Sequence, residues 1–167
     1  MSIIAGDFVT RLSGGSANSV GNSAIGGAKS SVAASSTVDQ LFDAVTAAQA
    51  AAGLIEYRCV YLHNANASDQ MTNAVVYVSA NTPLAGTTID IGVGSAAVNA
   101  TEQTIANEAT APTSVTFSAP STAGTGLALG SIPFGQHKAI WIRRTVTAGA
   151  GASANDTFTL GYQAETT

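Results

Sequence analysis

Few side chains in this sequence combine the residue types and spacing that catalysis or metal binding requires. The two histidines, His63 and His137, are single and far apart in sequence. Metal sites gather several His, Cys or carboxylate ligands at workable spacing, so both read as exposed or capping residues. Cys59 is the one cysteine, which excludes an internal disulfide and a Cys-rich metal site. It alternates with Tyr57 and Tyr61 in a strand-like run and reads as a buried structural thiol, not a nucleophile. Serine is abundant, but no Gly-x-Ser-x-Gly elbow places one for nucleophilic attack. Gly92-Val93-Gly94-Ser95-Ala96-Ala97 resembles a phosphate loop only weakly. It lacks the third glycine and the following helix, and reads as a strand leaving into a loop. Glu56, Asp90, Glu102 and Glu108 are dispersed, and no pair of them suggests glycoside hydrolysis. The sequence therefore predicts no catalytic residue, no cofactor and no bound metal, hence no enzyme.

The remaining candidates are contact residues. Arg143 and Arg144 are adjacent on one predicted strand, so they must point to opposite faces. One is expected to meet the core side or a partner's carboxylate. In a chain this poor in charge, an arginine is a natural interface anchor. Phe8, Arg11, Leu12 and Ile25 punctuate an otherwise featureless N-terminal stretch, and Leu41 and Phe42 lie on the apolar face of a predicted helix. Together these eight residues form the predicted interface set.

The elements that must position them fall into three parts. Residues 1–37 read as an extended arm, because Gly, Ser, Ala and Asn there show no hydrophobic period and cannot bury enough apolar area to offset chain entropy. Such an arm would order on a neighbouring surface, and deleting residues 1–36 would leave the rest folded. Residues 38–53 read as a helix and linker. Thr37 would cap it with Gln40 three residues on, Leu41, Phe42, Val45, Ala48 and Ala52 would share one face, and Gly53 would end it. Residues 54–167 change to period two. Strands are predicted over 56–62, 74–79, 87–93, 103–105, 114–118, 127–130, 138–147 and 157–163. That spacing predicts a mostly β chain, an antiparallel β-sandwich of Ig-like or jelly-roll-like type.

Charge narrows the partners. Of 167 residues only 10% are charged, and the formal net charge is −4. Six scattered basic residues are too few to displace the counterions of a nucleic acid. No stretch approaches the ~20 apolar residues of a membrane span, and no secretory leader is visible at the N-terminus. A surface of small polar residues loses little solvation when another subunit covers it. A chain of this kind suits packing against copies of itself and its neighbours.

Six segments, in order, carry a resemblance: Arg11-Leu12-Ser13-Gly14-Gly15, Glu56-Tyr57-Arg58-Cys59, Leu62-His63-Asn64-Ala65-Asn66, Thr101-Glu102-Gln103, Val115-Thr116-Phe117-Ser118-Ala119-Pro120 and Trp141-Ile142-Arg143-Arg144-Thr145-Val146. With them the chain resembles a family of small virion structural proteins of tailed bacteriophages, over nearly its whole length. The resemblance implies a β-sandwich in many symmetric copies, made in the host cytoplasm and placed on the capsid surface. A decoration, or cement, protein of this kind would contact the major capsid protein and itself, often as a trimer. A head–tail or tail component of the same fold is equally compatible with the motifs. A carbohydrate-binding sandwich is the reading from another class, and would need exposed Trp or Tyr at loop tips.

Overall fold

The computed structural model describes residues 2–36, 40–151 and 156–166. Among these residues nine strands and one short α-helix follow in order: β1 Phe8–Leu12, β2 Gly26–Gly27, α1 Ala47–Ala52, β3 Leu54–Asn64, β4 Met71–Ala80, β5 Thr87–Val93, β6 Glu102–Thr104, β7 Leu127–Ile132, β8 His137–Val146 and β9 Thr159–Thr166. A four-stranded sheet runs β1-β3-β8-β5 and a three-stranded sheet runs β7-β4-β9, with β2 and β6 as a small ribbon. Every strand pair is antiparallel. The mostly β class expected from period-two patterning is present, with 41% of residues in strands, consistent with a β-sandwich. No helix among the described residues is long and apolar enough to cross a membrane.

The four-stranded sheet is covered on both faces. One face carries Val60, Leu62, Ile89, Ile91, Ile140 and Ile142 against Met71, Val76, Val78, Leu129 and Ile132 of the other sheet. The opposite face carries Tyr57, Cys59, Tyr61, Ala139 and Trp141 under a lid of loops that brings Ile25, Ile105, Val115 and Phe117. A strand buried on both faces reads as a near-continuous apolar run rather than a clean alternation. That is why β3 is buried at every position from Glu56 to Leu62. Each fully buried aliphatic or aromatic side chain contributes about 1.5–3 kcal/mol.

Burial of Cys59 between Tyr57 and Tyr61 on that second face pushes its thiol well above the ordinary thiol range. The thiolate is the reactive form. The native protein is therefore expected to resist thiol-specific labelling at neutral pH, with labelling appearing only as the chain unfolds. Mass spectrometry after timed exposure to a maleimide checks this.

Three expectations are corrected. The arm expected over residues 1–37 is, over its described residues 2–36, not free: β1 forms the edge of the large sheet, with Phe8 opposite Asn64 and Leu12 opposite Val60. The following loop folds back, Leu12 exchanging backbone hydrogen bonds with Val32 and Ser30. The short Phe-Val-Thr-Arg-Leu run finds its partner 50 residues on, so the apolar area missing locally is supplied by β3.

The helix starts late. Thr37 and Asp39 lie outside the described residues, and α1 begins at Ala47, capped by a Thr46–Gln49 box in which Gln49 N donates to Thr46 Oγ1 at 3.3 Å and Thr46 N donates to Gln49 Oε1 at 2.9 Å. Leu41, Phe42 and Val45 precede it in irregular backbone. The carbonyls of Leu41 and Asp43, which a helix would bond internally, accept instead from Arg58 Nε at 3.0 Å and Arg144 Nη2 at 3.0 Å. Gly53 does end the helix, at φ 83°, a conformation glycine adopts without strain.

The strand expected over 114–118 is reduced to one bridge, Ser118 with Ile91. Ser114 takes φ 58°, which breaks the extended path.

Candidate functional site

The eight predicted interface residues are mostly engaged within the chain. Leu12 is 4% exposed and Phe42 7%, so neither is free to anchor a partner. Phe8 stacks on Tyr162 with ring centroids 6.2 Å apart. Arg11 donates to the Ser31 carbonyl. Ile25 packs on the second core face and Leu41 on the first. Arg143 and Arg144 do point to opposite faces, as strand geometry demands, but each meets an acid of its own sheet. Arg143 donates to Asp90 Oδ2 at 2.7 and 3.2 Å and lies 5.1 Å above the Phe117 ring. Arg144 is paired with Glu56.

Arg144 belongs to a larger polar constellation. Register places Glu56 opposite Arg144 across β3 and β8, and Arg144 Nε donates to Glu56 Oε2 at 2.8 Å. Arg58, on the same strand face two residues on, has a fully buried side chain and donates to Glu108 Oε2 at 2.6 Å. Asp43 stands 3.8 Å from both guanidiniums. Phe42 lies between the two arginines, whose guanidinium carbons are 5.1 and 4.7 Å from its ring centre. Such contacts contribute roughly 0.5–2 kcal/mol each. Burial pushes the Glu56 carboxyl up, and Arg144 pulls against it.

The acids that look dispersed in sequence are therefore brought together: oxygens of Asp43, Glu56 and Glu108 lie within 4.8 Å of one another. Three carboxylates at that spacing could hold a cation. Here the two guanidiniums already fill that role, and a metal ion would have to displace ion pairs as short as 2.6 Å. The arrangement is a structural clasp that pins the 41–45 segment over the end of the sandwich.

The weak phosphate-loop segment has a similar internal use. Glu102, almost wholly buried, receives Ala96 N at 3.0 Å and the Ser95 hydroxyl at 3.1 Å. Burial pushes its carboxyl up, but these donors and Gln103 outweigh it and hold the group below the ordinary carboxylate range. The loop's donors bind the chain's own anion. Lys138 caps the same loop through the carbonyls of Gly94, at 3.0 Å, and Ala96.

The histidines are not isolated either. His63 and His137 are direct cross-strand partners, which their distance in sequence conceals. Trp141 is fully buried in β8, as its mid-strand position predicts.

Comparison of the chain with protein-family models, with curated proteins and with solved structures yields no match in any of the three. The reading of function therefore rests on residues and geometry.

Proposed function

We propose that this chain is a structural protein of a tailed-phage virion, a capsid decoration protein that stabilises the head by bridging capsomers. The observation that carries the reading is how the charges are spent. Three of the six basic side chains pair with acids of their own chain, Arg58 with Glu108, Arg143 with Asp90 and Arg144 with Glu56, while Arg11, Lys29 and Lys138 meet backbone carbonyls. What remains for contact with other molecules is dominated by small polar residues with an excess of acid. Covering such a surface strips little hydration, and many copies add modest contacts into firm attachment. Acidity suits an outer capsid surface rather than one facing packaged DNA. The ordered segments of the resemblance point the same way.

The proposed partners are the major capsid protein and copies of the chain itself, with no nucleic acid and no membrane. A head–tail or tail role for the same fold is the alternative. A glycan-binding role is less well supported: Trp141 and all four tyrosines lie within strands rather than at loop tips. Quantitative mass spectrometry and cryo-electron microscopy of purified particles test the proposal. Copies spread over the head lattice are expected. A handful of copies confined to the tail axis would replace the decoration role with the tail role, and absence from the particle would end both.

A further inference from the structure

The β3–β8 ladder that pairs Glu56 with Arg144 also pairs His63 with His137 at its other end. On the β1 side, Val9 stands opposite His63 and Arg11 opposite Tyr61. Side chains alternate along a strand, so Arg11, Tyr61 and His63 share the face turned toward the loop layer. His137 joins them, its ring 4.8 Å from that of Tyr61 at 84°. Lys29 enters from the loop that follows β1. Its charge opposes protonation of both imidazoles, and the charge of Arg11 opposes protonation of Lys29 and His63. Half of the eight Lys, Arg and His residues of an acidic chain thus crowd one corner.

Nothing of opposite charge balances them among the described residues that act on Lys29, His63 and His137. Glu102 donates its backbone N–H to the Tyr61 hydroxyl at 2.9 Å, and its charge acts on Tyr61 and Lys138 rather than on Lys29, His63 or His137. Its carboxylate is turned to Ser95 and Ala96. Three nitrogens in the cluster are buried without a hydrogen-bond partner: Arg11 Nε, His63 Nδ1 and His137 Nδ1. Buried donors are almost always satisfied, and an exception asks for an explanation. The charges of Arg11 and Lys29, gathered beside two imidazoles without a counter-ion, ask for the same one.

We propose that Arg11, Lys29, His63 and His137 form an oxyanion site that takes a doubly charged tetrahedral anion of the phosphate or sulfate class. A guanidinium, an ammonium and two imidazoles supply donors of the kind that make charge-assisted hydrogen bonds to such oxygens. Two imidazoles alone would also suit a transition metal. Lys29 and Arg11 beside them repel a cation, and that decides for the anion. The assignment is independent of the virion role.

Binding and protonation are coupled. Burial, with Lys29 and His63, lowers His137 from its ordinary value to about 4. Burial, with Lys29 and Arg11, lowers His63 as well. A dianion between them reverses the charge effect, so the imidazoles take up protons as it binds, and the affinity for sulfate, which keeps both charges over this range, rises as pH falls from neutrality toward 5. Reciprocity requires that the anion raise the histidine midpoints.

The test is a proton NMR titration of the two imidazole C2–H signals in sodium sulfate and in sodium chloride at equal ionic strength, repeated with inorganic phosphate. Sulfate is expected to move the His137 midpoint up by about one pH unit, equivalent to about tenfold tighter binding to the protonated form. Lys29→Gln is the variant of choice. Its ammonium makes only a long 3.4 Å contact with the Ser30 carbonyl, so its loss spares the fold, and it is expected to abolish most of the sulfate effect. His137→Gln should weaken the pH dependence of sulfate binding, leaving the part carried by His63 with Arg11 and Lys29. Identical midpoints in sulfate and chloride would overturn the site. So would a sulfate shift that survives in Lys29→Gln, or a response of both imidazoles to zinc and not to sulfate.

Discussion

A fragment lacking residues 1–36 is expected to lose its cooperative thermal transition, although the composition of those residues suggests a dispensable arm. The N-terminal segment supplies an edge strand, part of a core lid and several buried hydrogen bonds. Cys59 N donates to the Ala24 carbonyl at 2.6 Å, and Ile105 N donates to that of Ile25 at 3.0 Å. The Tyr61 hydroxyl donates to the Gly27 carbonyl at 2.6 Å. Gly26 lets the segment run against β6, where a Cβ would stand 1.9 Å from the Gln103 carbonyl oxygen. Truncation leaves these groups unpaired and uncovers the face carrying Tyr61 and Trp141. Each unsatisfied buried group costs about 1–3 kcal/mol, before any apolar exposure is counted. The total exceeds about 5 kcal/mol, the lower range of a whole domain's stability. Calorimetry of the fragment and the full chain makes the comparison. A fragment that melts cooperatively within a few degrees of the full chain would return residues 1–36 to the status of an arm.

The contrast between β1 and β8 shows what the sequence makes legible. Lys138 to Val146 alternates over ten residues and carries Trp141, so its strand is plain from local pattern. Phe8–Leu12 has the same alternation over five residues, but Gly- and Ser-rich chain follows it, and nothing local names a partner as distant as Leu54–Asn64. The helix expected through Leu41, Phe42 and Val45 has a local basis too. Those residues lie in irregular backbone instead, because the carbonyls of Leu41 and Asp43 are claimed by two arginines more than 15 residues away, and tertiary bonds override helix propensity. The charged clasp and the basic corner share one cause. A single register of β3 on β8 sets Glu56 against Arg144 at one end and His63 against His137 at the other. Residue types and strand limits were readable without that register. The pairing was not, because register depends on the turns and the buried faces together. A signal did exist: opposite charges at Glu56 and Arg144, in the two strongest strands, favour being set across from one another.

Arg144→Met is expected to destabilise the protein by about 3–5 kcal/mol, the usual cost of breaking a buried ion pair by removing one partner. At about 2–4 °C per kcal/mol for a chain of this size, the melting temperature falls by roughly 10 °C. Glu56 is 1% exposed and its Oε1 already lacks a partner, so the variant leaves a buried carboxylate with no counter-charge of its own. The effect should depend on pH with a definite sign. In the native protein burial raises the Glu56 midpoint and Arg144 opposes it. Without Arg144 the burial effect dominates and the folded midpoint climbs further above the unfolded value. Between those two values the folded state holds the extra proton, so stability rises as pH falls. The deficit is therefore smallest at or below the ordinary glutamate range and grows as pH rises through the folded midpoint. Loss of stability from protonating His137 between its ordinary value and about 4 affects both proteins equally and cancels in the difference. Glu56→Gln in the same background removes the stranded charge. The double variant should regain part of the loss and show no such pH dependence. Denaturant unfolding of all three proteins from pH 4 to 8 separates a buried ion pair that holds the 41–45 segment from an arginine that acts only by packing on Phe42, for which the deficit would be the same at every pH.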